Sequence, residues 1–154
     1  MGWLLATRYG GRLPLVSITR LRVRSWRYLP AFFFAALRSA FQARRAQDNL
    51  AVTILREAHN TFWTRSLWAN EAAMKSFMVS GVHRKIMPKL LNWCDEASVA
   101  RWNQDVSQEP PWDEVHLRMQ RDGRASRVNH PSEAHRRFHI PALEMKRSKE
   151  LRFR

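Results

Sequence analysis

Thr61-Phe62-Trp63-Thr64-Arg65-Ser66-Leu67-Trp68 runs directly into Ala69-Asn70-Glu71-Ala72-Ala73-Met74-Lys75-Ser76-Phe77-Met78, and across this join the chain changes period. The first eight residues read as an aromatic strand, in which Trp63 and Trp68 point to opposite faces because successive side chains alternate. Asn70 then has the short polar side chain of an N-cap, and Ala73, Met74, Phe77 and Met78 recur at helical spacing. Ser80-Gly81 ends that helix.

Working outward, Leu50 to Ala58 is a second strand-like run, and the polar His59-Asn60 joins it to the first as a hairpin. Further upstream, Leu15-Val16-Ser17-Ile18-Thr19-Arg20-Leu21-Arg22-Val23 alternates cleanly. Val16, Ile18, Arg20 and Arg22 fall on one side, and Leu15, Ser17, Thr19, Leu21 and Val23 on the other. Between these strands Leu29, Phe32, Phe33, Ala36, Leu37, Ala40 and Phe41 fall at helical intervals, with Pro30 tolerated in the first turn. Downstream a helical piece over 83–93 carries Pro88 inside it, which predicts a bend. Ala97 to Trp102 is a short last strand. The order β-α-β-β-α-β predicts an α+β, ferredoxin-like domain over residues 14–105.

Residues 1–13 read as an N-terminal extension and 106–154 as a C-terminal one. Trp112 to Gln120 predicts a short helix ended by Gly123, and beyond Arg124 the pattern dissolves into an aperiodic, basic stretch expected to be flexible.

The net charge of +14 raises the question of nucleic acid. It divides as +2 over residues 1–13, +8 over 14–105 and +4 over 106–154, with no run of five basic residues, so specific nucleic-acid binding is not expected. The most apolar run, Leu29 to Leu37, stops at Arg38, short of the roughly 20 residues of a membrane span. The first residues make a poor signal peptide, and the single Cys94 supports no internal disulfide. The expectation is a cytoplasmic protein.

Familiar catalytic constellations are absent. There is no G-x-S-x-G, no glycine-rich phosphate loop, no H-E-x-x-H and no cluster suited to structural zinc. Cys94 sits beside Asp95 and Glu96, which raise a thiol's pKa and make it a poor nucleophile. His83, just after the Ser80-Gly81 stop, is the histidine best placed to meet a ligand as base or donor; a locally hydrogen-bonded structural histidine is the competing reading. Trp63 or Trp68 is expected to line a cavity, the bland alternative being core or interface packing. Arg20 and Arg22 are expected to face a cavity, a partner subunit or solvent.

Trp63 to Phe77, with Ser80-Gly81-Val82-His83-Arg84-Lys85-Ile86-Met87, resembles an uncharacterised, spheroidene-monooxygenase-like branch of the antibiotic-biosynthesis-monooxygenase-like dimeric α+β barrel superfamily. The resemblance covers residues 14–105 in element order, with its motif confined to about 60–95. It implies a homodimer paired through its sheets and a small-molecule ligand held between sheet and helices. The activity implied is that of a monooxygenase-like oxidoreductase on an aromatic or polyene substrate, cofactor-independent or haem-dependent. The alternative is a non-catalytic ligand- or haem-binding accessory dimer, since one fold hosts both. By this resemblance His83 is the catalytic residue and Trp63, Trp68, Phe77, Met87, Arg20 and Arg22 bind substrate. Met87 stands where haem-degrading relatives have an iron-ligating histidine, and methionine can also ligate haem. No cofactor is the simpler expectation.

Overall fold

Alternation in the strands produces a sheet with two different faces, and each acquires its own cover. The computed structural model describes residues 13–154; residues 1–12 of the expected N-terminal extension lie outside the described residues. The elements are β1 (Leu15–Val23), α1 (Leu29–Arg45), β2 (Asn49–Glu57), β3 (Thr61–Trp68), α2 (Glu71–Met78), α3 (Gly81–Trp93) and β4 (Cys94–Asn103). After these come α4 (Trp112–Asp122), β5 (Arg124–Ala125), a short α5 (Glu133–Arg136) and β6 (Lys149–Phe153). All pairings are antiparallel, in the order β5-β4-β1-β3-β2-β6, so the expected βαββαβ unit forms the middle of the sheet. No helix among the described residues is long and apolar enough to cross a membrane.

Local chemistry sets the joins. The Asn70 side chain accepts a hydrogen bond from the Ala73 amide at 2.9 Å, capping α2 as its sequence position requires. His59 and Asn60 both take positive φ in the β2–β3 turn. Pro88 lies within α3, which continues as one helical element through it.

The inner face, carrying Leu15, Val23, Val52, Ile54, Phe62, Trp68 and Ala97, packs under α1, α2 and α3. α1 presents Phe32, Ala40 and Ala43 to it, and the small residues let the helix lie close to the strands. The outer face carries Val16, Ile18, Leu55, Trp63, Leu67 and Ala100. The sheet-to-sheet pairing expected from sequence required this face to be open, but Trp112, Val115 and Met119 of α4, together with Ile140, bury it.

The expected flexible stretch is therefore tied down. β6 pairs with β2 over Val52–Arg56, and Ser126 donates its backbone N–H to Ala97 O at 2.8 Å. His116 of α4 holds Pro141 O at 2.7 Å, and Gln120 donates to Ile140 O at 3.1 Å. Periodicity missed this because these contacts are made with partners distant in sequence, which no local pattern records.

Candidate functional site

Between the inner face and the three helices lies a largely enclosed cavity of about 190 Å³. β1 and β3 build its floor, and their register sets Ser17 opposite Ser66 and Thr19 opposite Thr64, so four hydroxyl side chains lie together on an otherwise apolar surface. Phe32, Ala36, Ala40 and Ala43 of α1 roof it, and Met74, Phe77, His83, Ile86, Met87 and Leu90 of α2 and α3 form a side. Ser126, Arg127 and Val128 close the remaining wall, and no carboxylate among the described residues lines the space. A wider depression of about 1000 Å³ outside, between α1 and α2, is more open to solvent.

An aromatic series leads to the histidine. Trp68 stacks on Phe77 with centroids 5.3 Å apart, and Phe77 lies 4.6 Å from the His83 ring. Trp68 donates its indole N–H to Ser66 Oγ at 2.9 Å, fixing the indole over the floor.

His83 is held from two sides. Its Nδ1 lies 3.0 Å from Met78 O, and because a carbonyl only accepts, Nδ1 carries the proton and Nε2 keeps the lone pair. Nε2 has no protein hydrogen-bond partner among the described residues. Burial pushes the imidazole's pKa below its ordinary 6.5, outweighing the opposite effect of the Met78 hydrogen bond, so the ring is neutral near pH 7. The backbone N–H of His83 donates to Gln42 Oε1 at 2.9 Å, while Gln42 Nε2 donates to Ser80 O at 2.8 Å. Gln42 of α1 thus clamps the α2–α3 turn. The turn uses Gly81 at φ +56°, where a Cβ would stand 2.9 Å from Gln42 Nε2.

Of the residues expected at a site, His83, Trp68, Phe77 and Met87 meet in this cavity. Trp63, Arg20 and Arg22 do not. All three lie on the outer face, because Trp63 differs from Trp68 by an odd number of strand positions and the arginines share the parity of Val16 and Ile18. Trp63 is buried there and donates its N–H to Glu57 at 2.9 Å. Arg20 and Arg22 bond to Glu96 at 2.7 and 3.1 Å, Glu96 also accepting from Ser132 Oγ at 2.8 Å. Burial alone would raise Glu96, but the Arg20 and Ser132 hydrogen bonds and the two arginine charges together hold its pKa below the usual 4.5.

Sequence reasoning missed Ser17, Thr19, Thr64, Ser66 and Gln42. The alternation of β1 had already placed Ser17 and Thr19 opposite the arginines, yet only the register of β3 shows that four hydroxyls meet. Cys94 is buried and its thiol is pushed up to about 12, chiefly by burial and then by Asp95, which removes it as a nucleophile. No group of three or more His, Cys, Asp or Glu side chains among the described residues is placed to hold a metal ion.

No family model and no curated protein matches the chain. Solved structures do match in fold. A conserved protein from Methanosarcina mazei Go1 superposes with a TM-score of 0.54 at 12% identity, over 60% of this chain and 93% of its own. SnoaB, a cofactor-independent oxygenase from Streptomyces nogalater, gives 0.51 at 17% identity, over 60% of this chain and 94% of its own. A protein from Nitrosomonas europaea provisionally assigned as an antibiotic biosynthesis monooxygenase gives 0.52 at 15% identity, over 59% and 89%. Nearly all of each neighbour thus corresponds to only three-fifths of this chain, and at these identities the likeness is one of fold. The chain shares its ferredoxin-like α+β fold with these proteins.

Proposed function

We propose that the cavity under α1, α2 and α3 is the site of a small-molecule monooxygenase-like protein, with His83 as its general base. The carrying observation is a neutral imidazole whose Nδ1–H is fixed on Met78 O, leaving a basic Nε2 on the ring that borders an enclosed, aromatic-walled space. A base of this kind suits a substrate whose carbon acid, once deprotonated, reacts with dioxygen directly; the protein supplies proton removal and orientation. Trp68 and Phe77 offer faces on which a flat ring packs, and the hydroxyls of Ser17, Thr19 and Thr64 offer partners for oxygen substituents. The same fold in a cofactor-independent oxygenase supports this reading.

Size narrows the ligand. Ligand sites commonly run about 300–1,000 Å³, so a cavity of about 190 Å³ suits a compact aromatic molecule rather than a long polyene. Haem does not fit it as it stands. Met87 and His83 line the same wall, but the space is too small for the macrocycle.

The test is oxygen uptake with anthrone, whose oxidation consumes one dioxygen and yields anthraquinone and water. Wild type is expected to accelerate uptake with a rate that rises with pH and levels off near the histidine's lowered pKa. His83→Gln is expected to lose about 10²-fold or more, the usual contribution of a general base. An equal rate in the variant, with the fold intact, refutes the assignment of His83.

A further inference from the structure

We infer that the C-terminal segment, residues 104–153, does within one chain what a second copy would otherwise have to do: it closes the outer sheet face and completes the ligand cavity, so this protein binds its ligand as a monomer. The cavity half of this inference rests on the ligand-site reading above.

The outer face is apolar enough to need a cover. Val16, Ile18 and Leu67 have no exposed surface, and what covers them is Trp112, Val115 and Met119 of α4 with Ile140. Exposed as a patch, such a surface marks an association site; here it is already used.

Charge on this face is matched to the segment. Arg65 is only 4% exposed and lies 4.2 Å from the Trp112 ring centroid. Its guanidinium donates to Glu109 at 2.9 Å, to Glu150 at 3.1 Å and to Pro110 O at 2.8 Å, all three belonging to the segment. Glu150 also accepts from Trp112 Nε1 at 3.0 Å. A cation buried this deeply without its carboxylates is strongly destabilising, so strand β3 and the segment form one electrostatic unit.

The sheet edges are partly covered too, β4 at Ser98 and Val99 and β2 over Val52–Arg56. β5 lies along β4 and β6 along β2, and β6 presents Lys149 and Arg152, charged residues that discourage further strand pairing.

The same segment enters the site. Just after β5, Ser126 donates to Ala97 O and Asn129 to Leu91 O, both at 2.8 Å, and these two bonds pin Val128 into the inner core as cavity wall. The wall is therefore complete in one chain.

Two measurements on the full chain test this. Sedimentation equilibrium from submicromolar to submillimolar protein should return 18.2 kDa throughout; a mass of twice that overturns the inference. For the cavity, anilinonaphthalene sulfonate serves as the fluorescent probe, with Val128→Phe narrowing the space and Val128→Ala widening it, each checked for wild-type circular dichroism. Val128→Phe should weaken dye affinity about tenfold, equivalent to about 1.4 kcal/mol, while Val128→Ala should leave affinity equal or tighter. Met87→Trp, which fills the cavity from α3, is the reference. If Met87→Trp abolishes binding and both Val128 variants bind as wild type, the segment is not part of the site and the inference falls while the cavity reading stands. If no variant changes binding, both fall.

Discussion

Replacing Trp112 by alanine should destabilise the protein more than any other single change in α4. The indole is 8% exposed, packs on the outer face, lies under the Arg65 guanidinium and donates to Glu150. Truncating a buried tryptophan costs about 3–5 kcal/mol. A chain of 154 residues loses about 2–4 °C of melting temperature per kcal/mol, so a drop of about 6–20 °C is expected. Trp112→Phe should fall between wild type and the alanine variant, since it keeps a ring beneath Arg65 while removing the bond to Glu150, at about 1 kcal/mol, and part of the buried ring. Leu117→Ala, on the exposed side of the same helix at 56% exposure, should stay within about 0.5 kcal/mol. The assay is thermal and urea unfolding of all three variants. If Trp112→Ala costs no more than Leu117→Ala, α4 is not packed on the sheet, and the account of the outer face is wrong.

Further predictions concern the α2–α3 turn, the buried ion pairs and the thiol. Gly81→Ala places a side chain at φ +56° and against Gln42; it should cost about 1–2 kcal/mol in urea unfolding, and a neutral outcome would show that the turn is not held as described. Glu96 has a folded pKa below 4.5, so its stabilisation is present above pH 4.5 and is lost as pH falls through the folded value. Arg20→Met should flatten this acid limb of the stability profile in part and cost less at neutral pH than the about 3–5 kcal/mol of an unpaired buried charge, because Arg22 and Ser132 still bond to Glu96; an unchanged acid limb refutes the pairing. Cys94, with its thiol near 12, should resist iodoacetamide at pH 8 until the protein is unfolded, and rapid labelling of the native state would contradict its burial.

The four strands and three helices of residues 14–105 were legible in the sequence because each is specified by neighbours along the chain. Alternation in Leu15–Val23, the Asn70 cap and the apolar spacing of Ala73, Met74, Phe77 and Met78 are local facts, and tertiary packing left them intact. The same locality placed His83 after a glycine stop and set Trp63 and Trp68 on opposite faces. Which face holds the cavity was not local. It depends on where the helices cross the sheet and what covers the other side, and so Trp63, Arg20 and Arg22 went to the outer face while Ser17, Thr19, Thr64 and Ser66 came together on the inner one. The fate of residues 124–154 was least legible. Lys149-Glu150-Leu151-Arg152-Phe153 has little apolar alternation of its own, and it is a strand only because β2 offers an unpaired edge and Arg65 a buried charge for Glu150. A pattern along the chain records what a segment buries by itself; this one is ordered by what it neutralises on a strand more than eighty residues away.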